Sequence, residues 1–210
     1  MRLLPVAVIS LGLLLMNACS NPADDKSKAV TREATSATPQ SPSQGAKYLI
    51  TPQNSRVEFV ASKVTGSHNG SFKDFSGEID YAGQAEKSRV TVTIKMASVQ
   101  TDTDDLTKHL QTPDFFDVAK YPQATFTSTE IKPGGDKGAT HTVTGNFQLH
   151  GVTKSITFPA TIVPNADAIT VETTFSINRK DFGINYAGAA NNLIRDEVVM
   201  SLHIKAERAK

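Results

Sequence analysis

Alternation of apolar and polar residues dominates the chain from Lys47 to its C-terminus. In the segment 89–95, Val90, Val92 and Ile94 alternate with polar neighbours, and the same period recurs in about eight segments. Successive side chains of a strand point to opposite faces of a sheet, so each segment is predicted to have one apolar and one solvated face. The pattern predicts an all-β antiparallel fold, either a sandwich or an up-and-down barrel.

Turn signals separate the predicted strands. His150-Gly151 stands between two alternating segments and predicts a tight hairpin, and Lys132–Gly138 predicts a longer, glycine-rich one. One interval, Thr101–Gln111, carries helix signals instead of alternation. Thr103 is a predicted N-cap, and acidic residues precede basic ones along the segment. We therefore expect a short helix to interrupt the sheet.

Two adjacent aromatic residues follow this predicted helix. Thr112-Pro113 predicts a second helix start, with proline at the first helical position, leading into Phe115 and Phe116. Because exposing both rings to water is unfavourable, we expect them to turn inward. The helical insertion is predicted to be a lid, and the two rings are predicted to plug one end of a barrel.

The N-terminus carries the features of an export signal. Arg2 precedes the apolar run Leu3–Met16, which is shorter than a membrane-spanning helix and ends just before Cys19, the only cysteine. This pattern resembles the bacterial lipobox. It predicts a lipoprotein signal peptide over residues 1–18 and a lipidated Cys19. The alternatives are an ordinary signal peptide and an uncleaved anchor with a free thiol.

A polar segment follows the cysteine. Ser20–Ala46 contains no aromatic residue, and its only larger aliphatic residue is Val30. Such a composition buries too little apolar surface to offset ordering entropy. Residues 19–46 are therefore predicted to be the lipidated cysteine and a disordered linker, and residues 47–210 the folded domain. We expect the domain on the periplasmic side of a bacterial membrane, with Ser20 favouring the outer membrane.

Sequence signals for catalysis are weak. None of the five histidines has metal-ligand spacing, no serine lies in a GxSxG elbow, and the net charge of +1 does not favour nucleic-acid binding. His109 with Asp114 or Asp117 is the candidate acid–base combination. We expect no enzyme, no metal and no cofactor.

Several spaced motifs resemble those of the YceI-like family of lipid- and polyisoprenoid-binding proteins. The resemblance runs from about Tyr48 to the C-terminus. Its main motifs are Tyr48–Ile50, Ser55–Phe59, Gly70–Gly77, His109-Leu110, Pro113–Asp117, Lys120–Pro122, Val143–Phe147, His150–Thr153, Lys180–Gly183 and Asp196–Val198. It implies a lipocalin-like, eight-stranded antiparallel barrel whose apolar channel holds an isoprenoid chain. The family often has Arg-Asp three residues before His-Leu, where this chain has Leu106 and Thr107.

The predicted ligand site is the apolar interior with its lid. We expect the following residues to line or cover it: Phe59, Phe75, Val92, Ile94, Leu106, His109, Leu110, Phe115, Phe116, Phe126, Phe147, Phe158, Phe175 and Met200. The ligand would be an isoprenoid lipid or a quinone. Periodicity alone does not separate a hollow barrel from a solid one, so two alternatives stay open. One is an adhesion or inhibitor-like module that binds a protein through its loops, and the other is an enzyme acting on an amphiphile.

Overall fold

The alternating segments form antiparallel strands, as predicted. The structure, a computed structural model, describes residues 21–35, 45–190 and 192–210, without the side chain of residue 192. Its strands are β1 (Ser27–Lys28), β2 (Val30–Glu33), β3 (Ala46–Ile50), β4 (Arg56–Lys63), β5 (Gly66–Phe72), β6 (Phe75–Tyr81), β7 (Arg89–Lys95), β8 (Val99–Thr101), β9 (Gln123–Pro133), β10 (His141–Leu149), β11 (Val152–Pro164), β12 (Ala168–Asn178), β13 (Gly188–Ala189) and β14 (Asn192–Arg208).

The strands close into one barrel. The hydrogen-bonded order is β12-β11-β10-β9-β7-β6-β3-β14, and β14 also pairs with β12, which closes the ring. Three ring strands have a continuation: β4 continues β3, β5 continues β6, and β8 continues β7. The continuations pair as the ring strands do, since β14 pairs with both β3 and β4, and β5 pairs with β4 and β8. Neighbours in the ring are thus neighbours in the chain, except where the first strands, β3 and β4, pair with the last, β14. This confirms the predicted eight-stranded, up-and-down antiparallel barrel.

Short breaks bend two adjacent long strands at the same level. β5 and β6 are separated by Lys73-Asp74, and β7 and β8 by the 3₁₀ turn Met96–Ser98. The two breaks are hydrogen-bonded to each other, since Lys73 N–H donates to the Ser98 carbonyl at 3.1 Å and Asp74 N–H donates to the Ser98 hydroxyl at 3.0 Å. The bends therefore occur together, and the barrel wall stays closed across them.

Both predicted hairpins are present. His150 and Gly151 have φ angles of 51° and 76°, and they join β10 to β11, where Leu149 is the register partner of Val152. Two successive positive φ angles belong to a type I′ turn, which matches the twist of the flanking strands. The Lys132–Gly138 segment turns between β9 and β10 with positive φ at Gly134, Lys137 and Gly138.

The predicted helix is also present. α1 spans Asp104–Leu110, and the hydroxyl of its N-cap Thr103 accepts a hydrogen bond from Leu106 N–H. Three further 3₁₀ turns cover Ala85–Lys87, Asp136–Gly138 and Arg179–Phe182. No helix of the described residues is long and apolar enough to cross a membrane.

The second helix predicted at Thr112-Pro113 is absent from this part of the chain. Residues 111–120 form turns, in which Phe116 N–H donates to the Leu110 carbonyl and Asp117 has a φ of 45°. The prediction was wrong because this backbone bonds back to the end of α1 instead of forming its own ladder. The result still places Phe115 inside the core, with Phe116 packed against it.

Residues 21–35 differ from the predicted flexible linker. β1 pairs with β12 and β2 pairs with β11, and Ala23 is buried. The linker prediction is wrong for these residues, because backbone hydrogen bonds to barrel strands hold them and composition does not report such bonds. The signal peptide, Cys19 and residues 36–44 lie outside the described residues.

Candidate functional site

The barrel encloses an apolar cavity. The space open to the centre of a water-sized probe is about 120 Å³, whereas one water needs only about 10–15 Å³ by the same measure. Because side chains alternate along a strand, every second residue of the barrel strands points toward this cavity. Its walls are Ile50, Val57, Ile79, Val90, Val92, Ile94, Phe126, Ile131, Val143, Phe147, Ile156, Phe158, Ile162, Val171, Thr173, Phe175, Ile177, Met200, Leu202 and Ile204.

A second cavity lies beneath α1 and the turn that follows it. Its volume by the same measure is about 90 Å³. It is lined by Phe59, Ala61, Phe72, Ile94, Met96, Leu110, Phe115, Phe116, Ala124, Phe147, Leu149, Ile177, Arg179, Ile184, Ile194, Val198 and Met200. Ile94, Phe147, Ile177 and Met200 border both cavities. The interior is therefore not packed solid. We refer to the two cavities together as the lumen.

Met200 is the most adaptable of the side chains between the cavities. It lies on β14 opposite Phe59 of β4 and Phe175 of β12. Methionine has three rotatable side-chain bonds and changes shape at low energetic cost. A change of its rotamer would therefore alter the boundary between the two cavities at low cost.

Two glycines hold aromatic rings back against the barrel wall. A Cβ at Gly70 would lie 2.1 Å from Cζ of Phe59, and one at Gly145 would lie 2.4 Å from Cζ of Phe126. Each ring therefore covers a strand position that has no side chain. Glycine alone weakens a strand, and an aromatic ring packed over it offsets part of that loss. Both rings line the lumen, so the glycines contribute to its width.

Arg179 is the charged side chain that reaches the lumen wall. It is 4% exposed, and its guanidinium donates to the carbonyls of Ile184 at 2.6 Å, Arg195 at 3.1 Å and Ile194 at 3.4 Å, and to Asp196 at 3.3 Å. Burial lowers the pKa of Arg179, and the charge of Asp196 partly opposes that shift. These bonds tie the turn after β12 to β14 at the α1 end of the barrel.

The rim at the α1 end carries an aromatic cluster. The ring of His109 makes edge contacts with Phe115 at 5.0 Å and Tyr186 at 5.2 Å between centroids. His109 Nε2 lies 2.9 Å from Asp114 Oδ2, and both side chains are well exposed, 39% and 52%. The pair borders neither cavity, so it is not positioned to act on a molecule inside the lumen.

Most of the predicted site residues meet in the lumen. Its lining includes Phe59, Val92, Ile94, Leu110, Phe115, Phe116, Phe126, Phe147, Phe158, Phe175 and Met200. Three predicted residues lie elsewhere: Phe75 is buried in the core, Leu106 packs against the core from α1, and His109 lies on the rim. Alternation places a residue on the inner face, but it does not determine which inner residues border empty space.

The prediction missed Phe72, the aliphatic residues of the strand centres, Thr173 and Arg179. The aliphatic residues carry the same alternation signal and were recoverable. Burial of Arg179 depends on carbonyls from residues 184–195, so no local pattern indicates it. Within the described ranges, no group of three or more His, Cys, Asp or Glu side chains could hold a metal ion.

Comparisons with known proteins agree with this geometry. The model of the YceI-like domain matches residues 48–206. A UPF0312 protein of Pseudomonas putida is 38% identical over 133 residues, which are 60% of this chain and 68% of the relative. The crystal structure of BcnA from Burkholderia cenocepacia has a TM-score of 0.66 at 27% identity, covering 75% of this chain and 99% of BcnA.

A third protein shares the fold at lower identity. It is a polyisoprenoid-binding domain from Saccharophagus degradans implicated in plant cell wall breakdown, with a TM-score of 0.63 at 22% identity. The match covers 79% of this chain and 100% of that domain. The family match includes at least part of every strand of the closed barrel and all the walls of the lumen. The chain therefore belongs to the YceI-like family.

Proposed function

We propose that this protein binds an apolar, isoprenoid-like chain inside the barrel and performs no chemistry on it. One observation carries the proposal: the lumen is unfilled by side chains, and its walls are apolar except at Thr173 and Arg179. Such a surface offers hydrocarbon contact and few directional contacts. The description of the Saccharophagus degradans domain as polyisoprenoid-binding supports the same ligand class.

The energetics favour a ligand of several isoprene units. Burying one five-carbon unit contributes about 4 kcal/mol gross, at about 0.8 kcal/mol for each carbon. Restricting the motions of ligand and protein costs several kcal/mol. Three or four units would therefore bind tightly with little contribution from the head group. A polyprenyl lipid or a quinone tail fits this description.

The proposed location follows from the N-terminal sequence. We propose export through the signal peptide of residues 1–18, lipidation of Cys19 and tethering on the periplasmic side of the outer membrane. A carrier at that surface would take its ligand from lipid and shield it from water. Mass spectrometry of the mature N-terminus tests this, and an unmodified Cys19 thiol would remove the tether.

A pair of valine substitutions tests the ligand site. Val143 is 5% exposed and lines the lumen, whereas Val163 is 52% exposed on the outside of β11. Val143→Phe should fill part of the cavity and weaken binding of geranylgeraniol by at least tenfold in a fluorescence-competition assay. Val163→Phe makes the same chemical change outside the lumen, and binding should change less than twofold.

Native mass spectrometry provides the independent readout. Protein purified without added lipid, or incubated with geranylgeraniol, should carry a mass that fits one isoprenoid. A chain that stays empty in both experiments, while its thermal melt shows it folded, would contradict the proposal. That outcome would favour a barrel that binds a protein through its loops.

A further inference from the structure

The barrel wall is split between β11 and β12. The two strands pair only where Thr161–Pro164 face Ile169–Glu172. The pairing ends at Thr161 and Glu172. Two residues farther toward the α1 end lies Pro159, which has no N–H to donate to a neighbouring strand and whose carbonyl accepts a bond from the Thr173 hydroxyl. Beyond this proline the two strands diverge toward the α1 end, although each keeps its other neighbour, β10 or β14.

The N-terminal segment fills this split. Ser27 and Lys28 pair in parallel with Phe175 and Ser176 of β12, and Ala29 N–H donates to the Ser176 carbonyl at 2.8 Å. On the other side, Val30–Glu33 pairs antiparallel with β11, from Thr157 to Lys154. Residues 27–33 thus lie between β11 and β12 as an inserted ninth wall strand, which we name the seam strand.

The seam strand is held mainly by backbone bonds and exposed ion pairs. Val30, its largest aliphatic residue, is 50% exposed. Lys28 pairs with Glu197 at 2.9 Å, and Glu33 pairs with Lys154 at 2.6 Å. Exposed ion pairs of this kind are weak and screened by salt. Elements with few buried apolar contacts are the first to open in a folded protein.

The lid at the barrel end is held more firmly. Leu110, at the end of α1, and Phe115 are buried in the core. Phe116 packs against the core, and its ring centroid lies 5.9 Å from that of Phe72. Moving this lid would expose three large apolar side chains to water. The seam strand itself buries no large apolar side chain, since Val30 is half exposed, so the split is the easier place for the wall to open.

The lumen lies directly behind the seam strand. Phe158 of β11 and Phe175 of β12 stack across the split, with centroids 4.2 Å apart and planes 10° apart, and both line the first cavity. The outer side of the split is polar: Ser155 and Ser176 are buried, and Ser176 Oγ is the one buried side-chain N or O atom without a partner in the described chain. Hydroxyl groups along the split could bond to water once it opened.

We propose that the split between β11 and β12 is a lateral portal through which an isoprenoid chain reaches the lumen, with the seam strand as its door. This inference rests on the function proposed above and names the route to the same site. The door lies outside residues 48–206, which match the family model. Seven residues lie between Cys19 and Ser27, so the two positions are at most about 30 Å apart, and a lipidated Cys19 would keep the portal close to the bilayer.

A disulfide between the seam strand and β11 tests the portal. Val30 and Thr157 are register partners in an antiparallel pair, where Cα atoms are about 4.5–5.5 Å apart and a disulfide can form. Val30→Cys with Thr157→Cys would lock the door, in a chain whose Cys19 is replaced by Ser so that no other thiol is present. Ser76→Cys with Thr93→Cys, which joins β6 to β7 elsewhere in the wall, is the matched control.

The probe is all-trans-retinol, a fluorescent isoprenoid, and its uptake and release rates are followed by stopped flow. Oxidation of the seam pair should slow both rates at least tenfold and leave affinity within threefold, reduction should restore them, and the control disulfide should change them less than twofold. Ala29→Pro removes the N–H that bonds to Ser176 and should accelerate exchange at least threefold.

Equal rates for the oxidised and reduced seam pair would overturn the portal and place the route at the barrel end. Equal slowing by both disulfides, or no effect of Ala29→Pro, would overturn it as well. If the parent chain binds no isoprenoid of any length, the proposed function fails and the portal fails with it. That result differs from one in which retinol binds but its uptake and release rates do not depend on the seam disulfide.

Discussion

Gly70→Ala is expected to narrow the lumen through the ring of Phe59. The new Cβ would lie 2.1, 2.5 and 2.6 Å from three atoms of that ring, and these are its nearest neighbours. The backbone is not the obstacle, so the ring must move by about 1.5 Å to reach ordinary contact distance. Phe59 borders the second cavity and contacts Phe72, with 5.6 Å between centroids, so the cavity is the space into which it can retreat.

The expected magnitude follows from the volume that the ring takes. The second cavity offers about 90 Å³ to the centre of a water-sized probe, and a displaced phenyl ring would remove much of it. If one isoprene unit is excluded, the loss of burial is about 4 kcal/mol at most, which corresponds to about a thousandfold in affinity. The displaced ring itself should cost about 1–3 kcal/mol of folding stability.

A chain-length series provides the assay. Affinities for geraniol, farnesol and geranylgeraniol are measured for the parent, Gly70→Ala, and Gly70→Ala combined with Phe59→Leu. We expect Gly70→Ala to weaken the longest ligand by tenfold or more and the shortest by less than threefold, and we expect the double variant to restore binding. A uniform loss at all lengths, or no rescue by Phe59→Leu, would refute the reasoning, because either result would separate the effect from the space behind Phe59.

Three further outcomes are expected. Arg179→Met leaves several carbonyls without their donor and should lower the free energy of unfolding by about 3 kcal/mol in urea melts, with little rescue by Arg179→Lys, which lacks the planar fork. The pKa values of Asp136 and Glu197 are lowered, chiefly by hydrogen bonds from the seam strand. Their stabilisation is therefore present above the unfolded-state pKa values and is lost as the pH falls through the lower folded-state values. The protection of the amides of residues 27–33, relative to their intrinsic exchange rates, should therefore fall below about pH 4 while the barrel stays protected. Cys19→Ser should move the protein from the membrane fraction to the soluble periplasmic fraction, whereas retention in the membrane would contradict the lipid tether.

Local patterns in the sequence determined the barrel strands, their inner faces, the His150-Gly151 hairpin and the capped helix α1. Each depends on residues close together in the chain, since a two-residue period, a turn dipeptide and an N-cap are all read within a few positions. The inward Phe115 was predictable for the same reason. Together with the family resemblance, these signals predicted eleven of the residues that line the lumen.

Tertiary structure alone decided the features that join distant segments. The seam strand meets β11 and β12 more than a hundred residues along the chain, and its bonds are made by backbone groups that every sequence carries. Burial of Arg179 required carbonyls from a separate loop and strand, and the ring of Phe59 found its space over Gly70 on a neighbouring strand. Whether inward side chains meet or leave a cavity depends on the closure of the whole barrel, so the lumen is a property of the fold and not of any segment.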